Sequence, residues 1–258
     1  MSRTLPIVAA AVLAVCCAAC SSTTPADIPT AEQRFRLGMA EYADEDYFDA
    51  IQHFEVIRLQ YPTSPVADSA RFFMGMSRFH REEYILASYE FSQIGQVSSS
   101  PALQTEAQYM YARCYVELSP KAALDQTYTM RAIDALQTFI ETNPKHPKAA
   151  DAEKDMLGLI NRLAEKEYRT GLLYMKLENA RAAEVYFDTV IDKYYSTEYV
   201  DDAAAMKIRA LISRKQYAAA GDRITQFLEK YPTSPLRDDV AALRADLPAE
   251  TRSNARPK

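Results

Sequence analysis

Phe54-Glu55-Val56-Ile57-Arg58-Leu59-Gln60-Tyr61-Pro62-Thr63-Ser64-Pro65 ends on five residues that return near the far end of the chain, in Phe227-Leu228-Glu229-Lys230-Tyr231-Pro232-Thr233-Ser234-Pro235. Each copy closes a helical run and opens another, Val66-Ala67-Asp68-Ser69-Ala70 or Leu236-Arg237-Asp238-Asp239-Val240. Proline has no N–H to donate and biases the residue before it away from the helical region, so it stops a helix. A motif that ends one helix and starts the next, used twice, marks a chain built from repeated helical units.

Working outward from the first copy, Leu37-Gly38 precedes Tyr47, Ala50, Phe54, Ile57 and Pro62. A shift of 37 residues reproduces the set as Met74-Gly75, Tyr84, Ala87, Phe91 and Ile94, with Ser99 in place of the proline. Two antiparallel helices with small residues where they cross and a proline at the exit define a tetratricopeptide unit. A surface poor in Cβ atoms lets the two helices approach closely. A third unit begins at Tyr111-Ala112 and Tyr115 and resumes at Ala132, Leu136, Phe139 and Pro144, with about eight extra residues between its helices. A fourth carries Gly171, Tyr174, Ala183, Phe187, Val190 and Tyr195. Its first helix is longer than the repeat needs by about 14 residues, nearly four turns, so Lys148 to Lys176 reads as one long helix in phase with the rest. The fifth holds Ile208, Leu211, Tyr217, Ala220, Ile224, Phe227 and Pro232.

The expected fold is therefore all-α, a right-handed superhelical solenoid of five helix pairs, approximately 30–64, 65–100, 101–146, 147–197 and 198–235. Residues 236–247 are expected to form a helix capping the open end, which a solenoid requires. Residues 248–258, with Arg252, Asn254, Arg256 and Pro257, read as a disordered tail. The rival, an unrelated helical bundle, would not reproduce a 37-residue register of small residues.

The start of the chain carries an address. Arg3, an apolar run from Leu5 to Ala19, and Ala18-Ala19 before Cys20-Ser21-Ser22 make a lipoprotein signal with Cys20 as the lipidated residue. The run is too short for the roughly 20 residues that cross a bilayer, so residues 1–19 are expected to be removed. Several acyl chains then anchor the protein durably. Residues 20–29 read as a flexible spacer. Ser21, rather than Asp, at the second mature position favours the outer membrane. Cys17 stands where leucine or valine is usual.

About 239 residues remain, with 29 basic against 35 acidic and a net charge of −6. That balance argues against nucleic acid as a partner, which requires a concentrated basic face. Apart from the lipidated Cys20, Cys114 is the one cysteine outside the signal, so no intramolecular disulfide can form. His53, His80 and His146 stand in different units without ligand spacing, and no phosphate loop, nucleophile elbow or His-Glu-x-x-His occurs. Cys114 sits among helix-packing positions and reads as a buried structural thiol. Asp201-Asp202 and Asp238-Asp239 fall at helix starts, where they favour the macrodipole. No catalytic residue, metal or cofactor is expected.

The inner face of the first helices is more informative. The register assigns it Phe35, Met39 and Tyr42 from unit one, Phe72, Met76, Phe79 and His80 from unit two, and Tyr109 and Arg113 from unit three. Aromatic and methionine side chains on a face that should meet water suggest a peptide-binding groove. Arg113 would be the partner for a terminal carboxylate beside those rings.

Three stretches carry a resemblance: the signal with its spacer; Ser119-Pro120 through Leu124-Asp125-Gln126-Thr127 with Ala132-Ile133 and Leu136-Gln137-x-Phe139-Ile140; and Arg162-Leu163-Ala164-Glu165-Lys166-Glu167-Tyr168. Together with the five repeats, the chain resembles the BamD family of outer-membrane β-barrel assembly lipoproteins, closest to its Bacteroidetes side. Ser99 and Tyr195 depart from the family's prolines. The resemblance implies a scaffold on the periplasmic side of the outer membrane. Its C-terminal half would hold a BamA-type Omp85 barrel protein through POTRA domains, and its N-terminal half would receive unfolded β-barrel precursors. The alternative is a periplasmic repeat adaptor of the Tol and cell-envelope division machinery, a family that usually carries a coiled coil ahead of its repeats. A lipid-anchored hydrolase fails for want of a site.

Overall fold

The computed structural model describes residues 29–98 and 100–249. The signal, Cys20 and most of the spacer lie outside them, as do residues 250–258 of the tail. The described chain is all-α. Its helices are α1 (Ala31–Ala43), α2 (Tyr47–Gln60), α3 (Ala67–His80), α4 (Tyr84–Val97), α5 (Pro101–Leu118), α6 (Thr127–Thr142), α7 (Ala149–Lys176), α8 (Ala180–Lys193), α9 (Val200–Ser213), α10 (Tyr217–Lys230) and α11 (Arg237–Ala242). A single 3₁₀ turn, Leu243–Asp246, follows α11. Two compact bodies divide between Ala70 and Arg71. The first contains the α1–α2 hairpin; in the second each helix from α4 onward packs on its sequence neighbour, the pattern of a tetratricopeptide solenoid.

Local chemistry sets the helix ends. Thr30 caps α1 in a reciprocal box: its Oγ1 accepts from the Gln33 N–H at 3.3 Å, and Gln33 Oε1 accepts from the Thr30 N–H at 2.8 Å. Asn179 caps α8 through the Ala182 N–H, and Ser100 with Pro101 opens α5. The recurrent Tyr-Pro-Thr-Ser-Pro acts through its serine. Ser64 Oγ accepts from the Val66 N–H at 3.3 Å and Ser64 O from the Ala67 N–H at 3.0 Å. In the second copy Ser234 Oγ accepts from the Leu236 N–H and Ser234 O from the Arg237 N–H, both at 3.2 Å. The proline ends one helix and the serine turn starts the next.

Within four pairs the helices are joined by one left-handed residue: Glu45, Glu82, Glu178 and Lys215 have φ between 55° and 63°. There the chain folds back through paired bonds such as Glu82 N–H to Phe79 O and Glu83 N–H to Arg78 O, both 2.9 Å. A side chain in this region costs about 1 kcal/mol that glycine does not incur. We expect Glu82→Gly, at an exposed site, to raise unfolding stability by about 1 kcal/mol in urea titrations, and a loss of stability would contradict the turn assignment.

The core is a three-residue set on each second helix: Ala50, Phe54 and Ile57; Ala87, Phe91 and Ile94; Ala132, Leu136 and Phe139; Ala183, Phe187 and Val190; Ala220, Ile224 and Phe227, all fully buried or nearly so. Opposite the central member stands the crossing residue of the first helix, and the two trade volume. Glycine faces phenylalanine in three pairs: a Cβ on Gly38, Gly75 or Gly171 would lie 2.7, 2.8 or 2.5 Å from the Cε1 of Phe54, Phe91 or Phe187. In the third pair Ala112 shares a core with Leu136, and in the fifth Ile208 with Ile224.

Two elements interrupt the repeat. Residues 119–126 replace the tight turn of the third pair, and Gln126 ties them inward by donating to Lys121 O at 3.0 Å and Leu124 O at 3.1 Å. The long helix α7 starts at Ala149, with Lys148 as its cap. The terminal helix is shorter than the sequence suggests: the α-helix ends at Ala242 and tightens to 3₁₀ through Asp246. Pro248 excludes the helical region at Leu247 and so ends the element. Val240, Leu243 and Leu247 nevertheless cover Ile208, Leu211, Ile224 and Phe227.

Candidate functional site

The residues expected to line a groove fall into both bodies, and their rings have partners. Phe35 lies 5.8 Å from Phe54, and Tyr42 meets Tyr47 edge-on at 5.5 Å, in the first body; Met39 is half-buried there. In the second, Phe72 packs edge-on against Phe91 at 5.6 Å and Phe79 against Tyr84 at 5.2 Å. Phe72, Met76, Phe79 and Tyr109 all border the core formed by Phe91, Ile94, Met110 and Cys114. His80 is exposed beside Phe79.

A pattern missed in the sequence emerges. Phe35, Phe72, Tyr109 and Tyr168 occupy one repeat position, three residues before the crossing residue, and each leans on its own second helix: on Phe54, Phe91, Phe139 and Phe187, at 5.2–6.0 Å. Four of the five units thus use that position as the rim of the core, with one ring edge left half-exposed. The fifth has Ala205. The signal was available as an aromatic recurring in register, but periodicity alone does not say toward which helix a ring leans.

Arg113, expected to pair with a terminal carboxylate, has carboxylate partners within the chain. Its guanidinium is already held by two carboxylates, Asp155 on α7 at 2.5 Å and Glu117 at 2.6 Å. Burial opposes its charge, but the bond to Asp155 and the charges of Asp155 and Glu117 raise its pKa overall. A peptide carboxylate would have to displace one of them. Above Tyr109 lies the ammonium of Lys148, 4.7 Å from the ring centroid, and Lys148 also pairs with Glu106 at 2.7 Å. Desolvation raises the Tyr109 pKa, so its hydroxyl stays protonated.

Burial pushes the Cys114 thiol up to about 12, and it is fully enclosed, which suits packing and not nucleophilic attack. Glu41, Asp46 and Asp49 bring three carboxylates together at the α1–α2 turn, two of them exposed. That is an ordinary solvated turn, and Asp46 there caps α2 through the Asp49 N–H.

The two stretches most particular to the sequence meet. Arg162 on α7 donates through Nη1 to Ser119 O at 2.9 Å and Ser119 Oγ at 2.7 Å. Lys166 Nζ donates to Leu124 O at 2.8 Å. The added turns of α7 thereby latch the inserted loop, and a cavity of about 370 Å³ lined by Ser119, Lys121, Arg162, Glu165 and Arg169 lies at the joint. Among the described residues no helix is long and apolar enough to cross a membrane.

Comparison with known proteins follows the same lines. Residues 28–211 match the YfiO family model, described as outer membrane lipoprotein. The outer membrane protein assembly factor BamD of Caulobacter vibrioides is 25% identical over 166 residues, which cover 64% of this chain and 54% of that protein. BamD of Rickettsia prowazekii is 26% identical over 157 residues, 61% of this chain and 62% of that protein. The chain thus spans between half and two thirds of the length of these relatives. Among solved structures, the TPR2AB-domain:pHSP90 complex of yeast Sti1 aligns at TM-score 0.42 and 13% identity, over 83% of this chain and 84% of that one. A tetratricopeptide protein from Parabacteroides merdae aligns at 0.37 and 16%, over 88% and 81%. With the family model matching well over half of its length, the chain belongs to the YfiO family of outer membrane lipoproteins.

Proposed function

We propose that this protein is a lipid-anchored tetratricopeptide scaffold of the outer-membrane β-barrel assembly complex, facing the periplasm. Repeats four and five hold the POTRA domains of a BamA-type Omp85 protein, and repeats one and two receive unfolded barrel precursors. The observation that carries the reading is the family match through four of the five repeats, at 28–211. The surface supports it: Ile85, Leu86 and Tyr89 form an exposed apolar strip on α4, and Phe48 and Leu59 stand exposed on α2. With Arg113 held by Asp155 and Glu117, precursor binding draws on half-exposed ring edges within each body taken separately, Phe35 and Tyr42 with Met39 in the first and Phe72 and Phe79 with Met76 in the second. Such binding is modest, because an extended chain loses freedom on docking.

A photo-crosslinking phenylalanine at His80, an exposed position at the rim, tests this in living cells. Cross-links to unfolded barrel precursors are expected, with an Omp85-type protein in the same detergent-solubilised complex. Cross-links to Tol or peptidoglycan-binding proteins would overturn the reading. Membrane attachment rests on Cys20 alone: we expect Cys20→Ala to yield a folded chain released by a carbonate wash, and a variant retained in the membrane pellet would refute acylation as the anchor.

A further inference from the structure

The same Tyr-Pro-Thr-Ser-Pro string has two different surroundings. Tyr61 donates its hydroxyl to Pro29 O at 3.2 Å. The Tyr231 hydroxyl, in the second copy, is sealed from solvent and has no hydrogen-bond partner. Buried polar groups in native proteins are nearly always satisfied, so an orphaned donor calls for an acceptor.

Tyr231 lines a cavity of about 110 Å³ enclosed by α8, α9 and α10. Its walls divide by chemistry. Ile191, Ala204 and Phe227 are apolar, whereas Lys207, Arg223 and Lys230 are cationic, and no carboxylate is in the lining. The Lys207 ammonium is neutralised by Asp188. Arg223 donates to the neutral Gln226 Oε1 at 2.9 Å, and Lys230 Nζ stands 5.3 Å from the Tyr231 ring; neither is paired with a carboxylate among the described residues. Two uncompensated cations beside a buried orphan donor stand out in a chain whose net charge is −5.

We propose that this cavity binds a carboxylate on a short methylene stem: an aspartate or glutamate side chain of a protein that docks on the α8–α10 surface. The stem lies against Ile191, Ala204 and Phe227. The carboxylate pairs with Arg223 and Lys230, and a small turn of the Tyr231 side chain brings its sealed hydroxyl to a carboxylate oxygen, charge-assisted bonds stronger than those between neutral groups. The apolar walls favour this ligand over free phosphate, which has nothing to set against them. The inference stands apart from the identity of any partner, since a small carboxylate suffices to test it.

The test titrates the folded chain with butyrate, and in a parallel arm with inorganic phosphate, at ionic strength held constant with sodium chloride. The readout is the ¹³Cζ resonance of Tyr231, assigned through Tyr231→Phe. Butyrate should shift it saturably, with a millimolar midpoint typical of a fragment-sized ligand. Arg223→Gln with Lys230→Gln should weaken that midpoint by about tenfold or more. Tyr231→Phe should leave Tm unchanged or raised, because it deletes an unsatisfied donor; a lowered Tm would mean the hydroxyl already has a partner, and would overturn the proposal. A linear response equal to that of chloride would show that no site exists. Saturation by phosphate and not by butyrate would overturn the carboxylate assignment.

Discussion

Gly171→Leu should destabilise the protein by about 3 kcal/mol, the upper end of what overpacking costs, and lower Tm by roughly 5–10 °C. Even the first carbon of the new side chain would stand 2.5 Å from Phe187 Cε1 and 2.8 Å from Cδ1. Phe187 is fully buried among Ala164, Ala183, Val190 and Ala203, so its ring cannot swing into solvent to make room. The smaller change, Gly171→Ala, sets an overpacking cost of about 1–3 kcal/mol against a helix-propensity gain of about 1 kcal/mol, and should be mildly destabilising. The decisive measurement is the pair Gly171→Ala with Phe187→Leu, which recreates the alanine and leucine that the third repeat places at Ala112 and Leu136. The double variant should be more stable than the two separate losses imply, with a coupling of about 1 kcal/mol or more. Strict additivity would mean that the crossing residue and the ring do not set one another.

Asp188→Ala should cost about 2 kcal/mol, whereas Lys207→Met should change stability by less than about 1 kcal/mol. The asymmetry follows from where each charge lies. The Lys207 side chain is 10% exposed and its ammonium bonds to Asp188, whose side chain is 37% exposed. Removing the carboxylate leaves a nearly buried cation without its partner. Removing the cation leaves a carboxylate that water reaches, while the methionine keeps the apolar stem in place between α8 and α9. Fully buried pairs lose about 3–5 kcal/mol when broken, and the exposure of Asp188 reduces that figure. Equal losses in urea titrations of the two variants would show that the pair acts as an ordinary surface bridge.

The helix pairs and their register were readable in the residues, because the crossing positions recur as Gly38, Gly75, Ala112, Gly171 and Ile208 and the opposing core as Phe54, Phe91, Leu136, Phe187 and Ile224. These are short-range facts: two helices joined by a tight turn can meet in few ways, and a small residue must face a large one. The long helix was equally readable, since its extra turns keep the apolar stripe in phase from Ala149 to Lys176.

The candidate site was readable only in composition. Phe35, Phe72 and Tyr109 lie on the first helices as expected, but whether such a ring faces a groove or its own repeat depends on how far it leans across the helix pair, and each one leans onto its own second helix. Arg113 finds Asp155 across 42 residues of chain, a separation at which no local pattern specifies a partner. The latch between Arg162 and Ser119 is of the same kind, set by the docking of α7 on the inserted loop. Tyr61 and Tyr231 make the point most sharply. The same five letters stop a helix and start another in both copies, because that depends on the backbone of those residues alone. Only the tertiary structure decides that one hydroxyl meets a carbonyl and the other is buried without a partner beside a cationic cavity, since hydrogen bonding at a side-chain tip depends on whatever distant chain is packed against it.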